Sequence, residues 1–230
     1  MPANGKYWKR HWQKRSQAVD ELIVSGWGNR DIREYLYDIC DISKKLKLKN
    51  SDSLLNIGCG NGLMEIVLSY WVKRINSIDF SLGMIKKAKA NNRGNDNVAF
   101  LTGTVLDLSF LKNCYYDKVL CNSVIQYLSD INEVACAFEE IRKISKSSTR
   151  ILISANPDKS KMNKFLSGYD KLNLAEEDKT KKKEINKLSL WTSPNEVESV
   201  ALKLGFKTKI LKMHPYIWQS WYMYDLLMWR

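Results

Sequence analysis

Apolar and polar positions follow two periods along the middle of this chain. Short apolar runs recur at residues 54–57, 76–80, 98–101, 117–122 and 150–155. Each has the length of a buried strand and is bounded by polar or glycine-bearing turns. Between them, residues 63–72, 82–92 and 133–145 carry apolar side chains at helical spacing; in the last, Val134, Phe138, Ile141 and Ile144 share one face. Residues 31–48 read the same way, with Ile32, Leu36, Ile39, Ile42 and Leu46 as the stripe and Asp31 as cap. Strands alternating with helices imply an α/β architecture: a mostly parallel, twisted sheet with right-handed crossovers and helices on both faces.

Past Pro157 the pattern loosens. Residues 158–187 are polar and lysine-rich, and their length suggests an excursion or lid. Residues 193–204 form a further helix, with Ser193 as cap, Pro194 at the first position, Glu196 as the capping-box partner and Gly205 as the stop. Residues 206–213 read as a strand. The tail, 215–230, is too aromatic to assign, and either completes the domain or offers a homodimer contact. The chain therefore divides into an N-terminal helical lid or substrate segment (1–50), a core (51–156), a lysine-rich insertion or lid (157–192) and a C-terminal helix, strand and tail (193–230).

Charge adds one asymmetry. The net charge is +12, yet residues 51–156 hold twelve Lys/Arg against ten Asp/Glu, and seven of the eight tryptophans lie outside them. Basic, tryptophan-rich flanks on a near-neutral core suit an anionic ligand. Five cysteines without paired spacing, and only His11 and His214, argue against a zinc site or disulfide framework and for buried thiols in a reducing compartment. No apolar run approaches the roughly 18–20 residues of a membrane span. The basic N-terminus is followed by no apolar signal core, so a cytoplasmic location is expected.

The chemistry concentrates at LLNIGCGNG, residues 54–62. Gly58, Gly60 and Gly62 follow a strand and precede a helix, where glycine lets the backbone approach a ligand and the helix start presents free N–H groups. Asp79 then falls at the end of the next strand, the place of a ribose-binding carboxylate. A dinucleotide turn would require glycine at 63, and this chain has Leu63.

This spelling resembles motif I of the class I S-adenosylmethionine (SAM)-dependent methyltransferases, and the resemblance extends over residues 51–156 through SIDFS (77–81), FLTGTVLDLSF (100–110) and YDKVLCNSVIQYL (116–128). It implies a Rossmann-like class I methyltransferase fold with SAM as cofactor and no metal. It assigns Asn56, Gly58, Cys59, Gly60, Asn61 and Gly62 to the methionine end and the turn. Asp79, Phe80, Ser81 and Met84 fall to ribose and the adenine edge, Thr104, Val105 and Leu106 to the adenine pocket, and Asn122 and Ser123 to the methionine moiety. Two positions depart from the family: Asn56 and Thr104 stand where an acid is common.

For the transfer itself, His11 and Tyr127 are the catalytic candidates, and Tyr7, Trp8, Trp12 and Gln126 the substrate contacts; His214 is a further candidate. Asn122-Ser123-Val124-Ile125 replaces the Asn/Asp-Pro-Pro-aromatic spelling of amino-methylating DNA and glutamine enzymes. That, and the lack of a recognisable nucleic-acid motif, points to a small, anionic acceptor such as a sugar, nucleotide-sugar or natural product, methylated on oxygen. RNA methylation through the basic flanks, and a catalytically silent SAM-binding scaffold, are the alternatives.

Overall fold

A computed structural model describes residues 3–27, 31–111 and 114–230. Three helices lead: α1 (Ala3–Arg15), α2 (Glu21–Val24) and α3 (Ile32–Leu46). The core then alternates as β1 (Ser53–Ile57), α4 (Leu63–Leu68), β2 (Arg74–Asp79), α5 (Leu82–Asn91), β3 (Val98–Thr102), β4 (Tyr116–Asn122), α6 (Ile131–Lys143) and β5 (Ser145–Pro157). After it come α7 (Met162–Ser167), α8 (Glu176–Lys187), α9 (Pro194–Lys203), β6 (Lys207–Lys212) and β7 (Met223–Trp229).

The seven strands form one sheet in the order β3-β2-β1-β4-β5-β7-β6. The first five are parallel; β7 runs antiparallel to both β5 and β6. This is the expected α/β architecture with one antiparallel strand inserted near an edge. Buried on both faces, the inner strands need apolar side chains at successive positions rather than alternate ones. Leu55, Ile57, Val119, Cys121, Ile151, Ile153, Leu226 and Met228 pack with α6 and α9 on one face. Leu54, Leu120, Leu152 and Leu227 pack with α3 and α4 on the other.

The tail expectation resolves toward the sheet: Leu226, Leu227 and Met228 of β7 are core residues, and Tyr216 and Trp221 are the large exposed side chains of that segment. The insertion is more ordered than its composition suggests, forming α7 and α8. The α3 stripe holds at Ile39, Ile42 and Leu46 and departs in the first half of the helix. Ile32 and Leu36 are 50% and 44% exposed, and the buried face is Tyr35, Asp38, Ile39, Ile42 and Leu46. Asp31 does cap α3, accepting from the Arg33 amide. Ser193 takes the N-cap position of α9 with Pro194 after it, but its hydroxyl makes no capping bond, so the capping box with Glu196 does not form. Of the five unpaired cysteines, Cys59 and Cys121 are buried, whereas Cys40 and Cys136 are exposed. No described helix is long and apolar enough to cross a membrane.

Because Leu226 sits at the centre of the α6/α9 face with no exposed surface, Leu226→Ala should cost about 2–5 kcal/mol in urea unfolding. Tyr70→Ala, at a side chain 78% exposed, should stay within about 0.5 kcal/mol.

Candidate active site

Strand β1 ends in the glycine turn, and the turn is shaped by its neighbours. Gly58 has φ of +78°, and a Cβ there would meet Val124 Cγ2 at 2.2 Å. Gly60 and Gly62 also have positive φ, +56° and +74°. The Gly60 amide donates to Asp79 Oδ2 at 3.0 Å, and Asp79 Oδ1 accepts from the Ser81 amide at 2.8 Å. Asp79 is therefore fixed across the turn from two sides while each oxygen keeps acceptor capacity. Burial pushes its pKa up to about 6, against the pull of the two amides.

Above the carboxyl ends of the strands lies a cavity of about 480 Å³. Its wall includes Asn56, Gly58, Cys59, Gly60, Asn61, Asp79, Phe80, Thr104, Val105, Leu106, Asn122 and Ser123, with Trp8, His11, Trp12, Gln126 and Tyr127. The structure thus brings most of the sequence-derived site together. Gly62, Ser81, Met84 and Tyr7 lie off that wall, for separate reasons. A Cβ on Gly62 would meet Ala88 at 2.9 Å, so that glycine serves the α4–α5 packing. Ser81 caps α5, accepting from the Met84 amide, and Met84 is buried beneath. Tyr7 packs on Trp8 and His11 from α1. His214 stacks on Tyr37, also away from the cavity.

Helix α1 closes one side. Trp8 and Trp12 pack on the Tyr127 ring, with centroids 4.7 and 5.6 Å away. Gln13 Oε1 accepts from Ser81 Oγ and from the Gly83 amide, seating α1 on α5. Burial and the neighbouring Arg15 lower the His11 pKa, which keeps its imidazole neutral near pH 7. Burial pushes the Tyr127 phenol up to about 12, so it stays protonated. Gln126 Nε2 donates to Ser123 Oγ at 2.5 Å, and the Gln126 backbone carbonyl accepts from the Leu190 amide. Asn61 lines the cavity, but its amide donates to the Glu21 carbonyl and carboxylate, binding α2 to the turn. Asn56 donates to Glu65 Oε1 at 2.6 Å, leaving its Oδ1 unpartnered.

The other side of the cavity is walled by residues the sequence did not single out. Phe165, Tyr169, Trp191, Trp218 and Tyr222 form an aromatic lobe with Ala155 and Pro157. Phe165 sits 5.3 Å from Trp191 and 4.5 Å from Tyr222, centroid to centroid. The insertion supplies Phe165, Tyr169, Ile185, Asn186 and Trp191 to this wall. Arg15 is the one lysine or arginine among the described residues of the wall; its carboxyl groups are Asp38, Asp79 and Glu133. Asp38 was not singled out, because the stripe of α3 was drawn through apolar residues alone. Its position three residues after Tyr35, in phase with the buried Ile42, was the available signal.

Residues 55–153 match the family model described as "Methyltransferase domain". The ribosomal protein L11 methyltransferase of Ruminiclostridium cellulolyticum is 24% identical over 134 residues, covering 54% of this chain and 41% of that protein. The chain thus spans well under half the length of that curated relative. Among solved structures, the N-methyltransferase NodS from Bradyrhizobium japonicum WM9, in complex with S-adenosyl-L-homocysteine (SAH), superposes with a TM-score of 0.65 at 13% identity, covering 96% of this chain and 95% of that one. Phosphoethanolamine N-methyltransferase 1 of Haemonchus contortus, in complex with phosphoethanolamine and S-adenosylhomocysteine, gives 0.71 at 15% identity, covering 98% of this chain and 48% of that one. At these identities the structures establish the shared fold.

The glycine geometry separates two substitutions. Gly60→Ala, with no heavy atom within 4 Å of the new Cβ, should cost only the left-handed backbone, about 1–2 kcal/mol. Gly58→Ala must also displace Val124, and should lower the thermal midpoint distinctly more.

Proposed function

We propose that this chain, a methyltransferase domain over residues 55–153, binds SAM along the glycine turn and moves its methyl group to a small acceptor held in the aromatic lobe. The observation that carries the reading is the turn itself: an open cavity above Gly58 and Gly60, with the Asp79 carboxylate held by two amides and its remaining lone pairs available to ribose hydroxyls. Val105, buried, and Leu106 supply an apolar slot beside Asp79 that suits an adenine ring. When bound, SAM supplies a methyl group already activated on a sulfonium, so the chain has to align the acceptor and exclude water.

The side chains suit that task. Trp8 and Trp12 cover the cavity from α1. His11, neutral near pH 7, is the proton acceptor for an acceptor hydroxyl. Protonated Tyr127 orients the acceptor as a donor. This supports transfer to oxygen. The aromatic lobe favours a flat or apolar acceptor body. An anionic group on that acceptor has Arg15 as its counter-charge. The lysines that make the chain basic lie off the cavity wall, so they act on encounter rather than on grip. A homodimer through the tail would rest on Tyr216 and Trp221, since β7 is taken up by the sheet.

The deciding experiment supplies SAM labelled on its methyl group together with small-molecule, RNA and protein fractions of a host lysate. Label should enter the small-molecule fraction. Label in RNA or protein would overturn the acceptor class, and SAH binding without label in any fraction would favour the silent-scaffold reading. Once an acceptor is known, His11→Ala should lower kcat by about 10²–10⁴-fold with SAH affinity unchanged. Ribose binding carries its own pH signature. Below about pH 6 Asp79 gains a proton and loses an acceptor position. Binding of 5′-methylthioadenosine, which has the ribose but no amino-acid moiety, should therefore weaken between about pH 7 and about pH 5, while Asp79→Asn should bind weakly at both.

A further inference from the structure

One buried carboxyl group on the cavity wall forms no ion pair among the described residues. Asp38 projects from α3, is 2% exposed and lines the cavity. The Asn122 side chain, at the end of β4 on the same cavity wall, faces Asp38 and favours its charged form. The charged and titratable groups around it are Asp41, Lys45 and Tyr35 on its own helix, and Asp225 on β7. Lys45 pulls the Asp38 pKa down through space but donates no hydrogen bond to it. That ammonium is held by Asp41 Oδ2 at 2.5 Å and Asp225 Oδ2 at 2.6 Å, and its third donor goes to the Lys212 carbonyl at 2.8 Å. Burial first, then the carboxylates of Asp225 and Asp41, push Asp38 up to about 7. A carboxylate so placed is costly to ionise until a counter-charge arrives.

The neighbouring atoms indicate where that counter-charge would sit. Asn122 Oδ1 is buried with no hydrogen-bond partner among the described residues, so the side chain that faces Asp38 also carries an unused acceptor. Asn122 Nδ2 also reaches Met64 Sδ at 3.9 Å, and Met64 stands in the first turn of the helix fed by the glycine turn. The pair therefore lies beside the turn. The other two cavity carboxyls are engaged elsewhere: Asp79 by the Gly60 and Ser81 amides, Glu133 by the Ser129 amide at 2.8 Å. Asn56, at the end of β1, donates to Glu65 and cannot supply a negative charge.

We propose that Asp38 and Asn122 form a subsite for a primary ammonium group, occupied by the α-amino end of the cofactor's methionine moiety. The assignment rests on the cofactor reading above. An ammonium offers three donors and one positive charge, which answers both the uncompensated carboxylate and the unpartnered amide oxygen. Docking it draws the Asp38 pKa downward, so a fraction of a proton leaves the protein on binding near pH 7.

Calorimetry with two ligands tests this without turnover. SAH carries the α-ammonium; 5′-methylthioadenosine keeps the adenosine and thioether and lacks it. Asp38→Asn should weaken SAH by about tenfold to a hundredfold, as expected for losing a charged hydrogen bond, and leave methylthioadenosine within about twofold. Wild-type SAH titrations near pH 7 should release protons, read as an enthalpy that changes with the buffer's ionisation heat; Asp38→Asn should abolish this release. Equal weakening of both ligands would mark Asp38 as structural and overturn the assignment. Unchanged SAH affinity would overturn it too, returning the carboxylate to the acceptor side. Failure of both ligands to bind wild-type protein would remove the cofactor reading itself, and this assignment with it.

Discussion

Lys45 fastens the flanks of this protein to its core. Its side chain, 11% exposed, bridges Asp41 on α3 and Asp225 on β7. Asp225 in turn accepts from Ser154 Oγ and the Ala155 amide on β5 with its other oxygen. A further bond runs from Arg150 Nε to the Lys45 carbonyl. Burial alone would lower the Lys45 pKa, and the two carboxylates outweigh it and leave it raised. Breaking such a buried network by removing one partner typically costs about 3–5 kcal/mol, because a charge is left uncompensated. The same contacts shape the cavity floor. Ala155 has φ of +56°, an unfavourable conformation for a residue with a Cβ, and the Asp225 carboxylate holds its amide there.

Two parts of the chain with different physical demands meet over that floor. The core presents a turn whose geometry is dictated by backbone approach, so its residues are few and recognisable. The flanks present walls: Trp8, His11 and Trp12 from α1, Tyr35 and Asp38 from α3, Phe165 and Trp191 from the insertion, Tyr222 from the segment before β7. A wall needs bulk, polarity and closure, and many spellings provide these. That is why the glycine-turn end of the cavity has a signature and the aromatic end has none.

The same difference decided what could be read from the chain alone. Strands β1, β2, β3 and β4 were legible to within a few residues because apolar runs bounded by turns have few other meanings in water. So was Asp79, whose place follows from the length of a strand-turn-helix-strand unit. Strand β7 was not, since aromatic and apolar residues crowd both its faces and period-two alternation is lost when both faces are buried. Helix α8 was hidden for the opposite reason: with Ile185 as its one apolar residue it has no stripe to detect. Asp38 was legible only in hindsight, since the apolar stripe of α3 was read through Ile32, Leu36, Ile39, Ile42 and Leu46, and the buried face keeps the last three but takes Tyr35 and Asp38 in place of the first two. Gly62, Ser81 and Met84 sit in segments that mix cavity lining with helix packing, and spelling alone does not separate those uses.

The position of β7 has a consequence for how the molecule is assembled. Strand β6 precedes β7 in the chain, yet in the sheet β7 lies between β5 and β6. During synthesis the ribosome delivers β6 to a sheet that offers it no partner, and only the next segment creates the edge on which it docks. The last two strands must therefore enter together, as a hairpin closed by the 213–222 connection, or β7 must arrive first and β6 second, against the order of translation. Until then β5 presents an unpaired apolar edge, the kind of surface that recruits chaperones or aggregates. The floor of the cavity, which depends on Asp225, is among the last features of the molecule to exist.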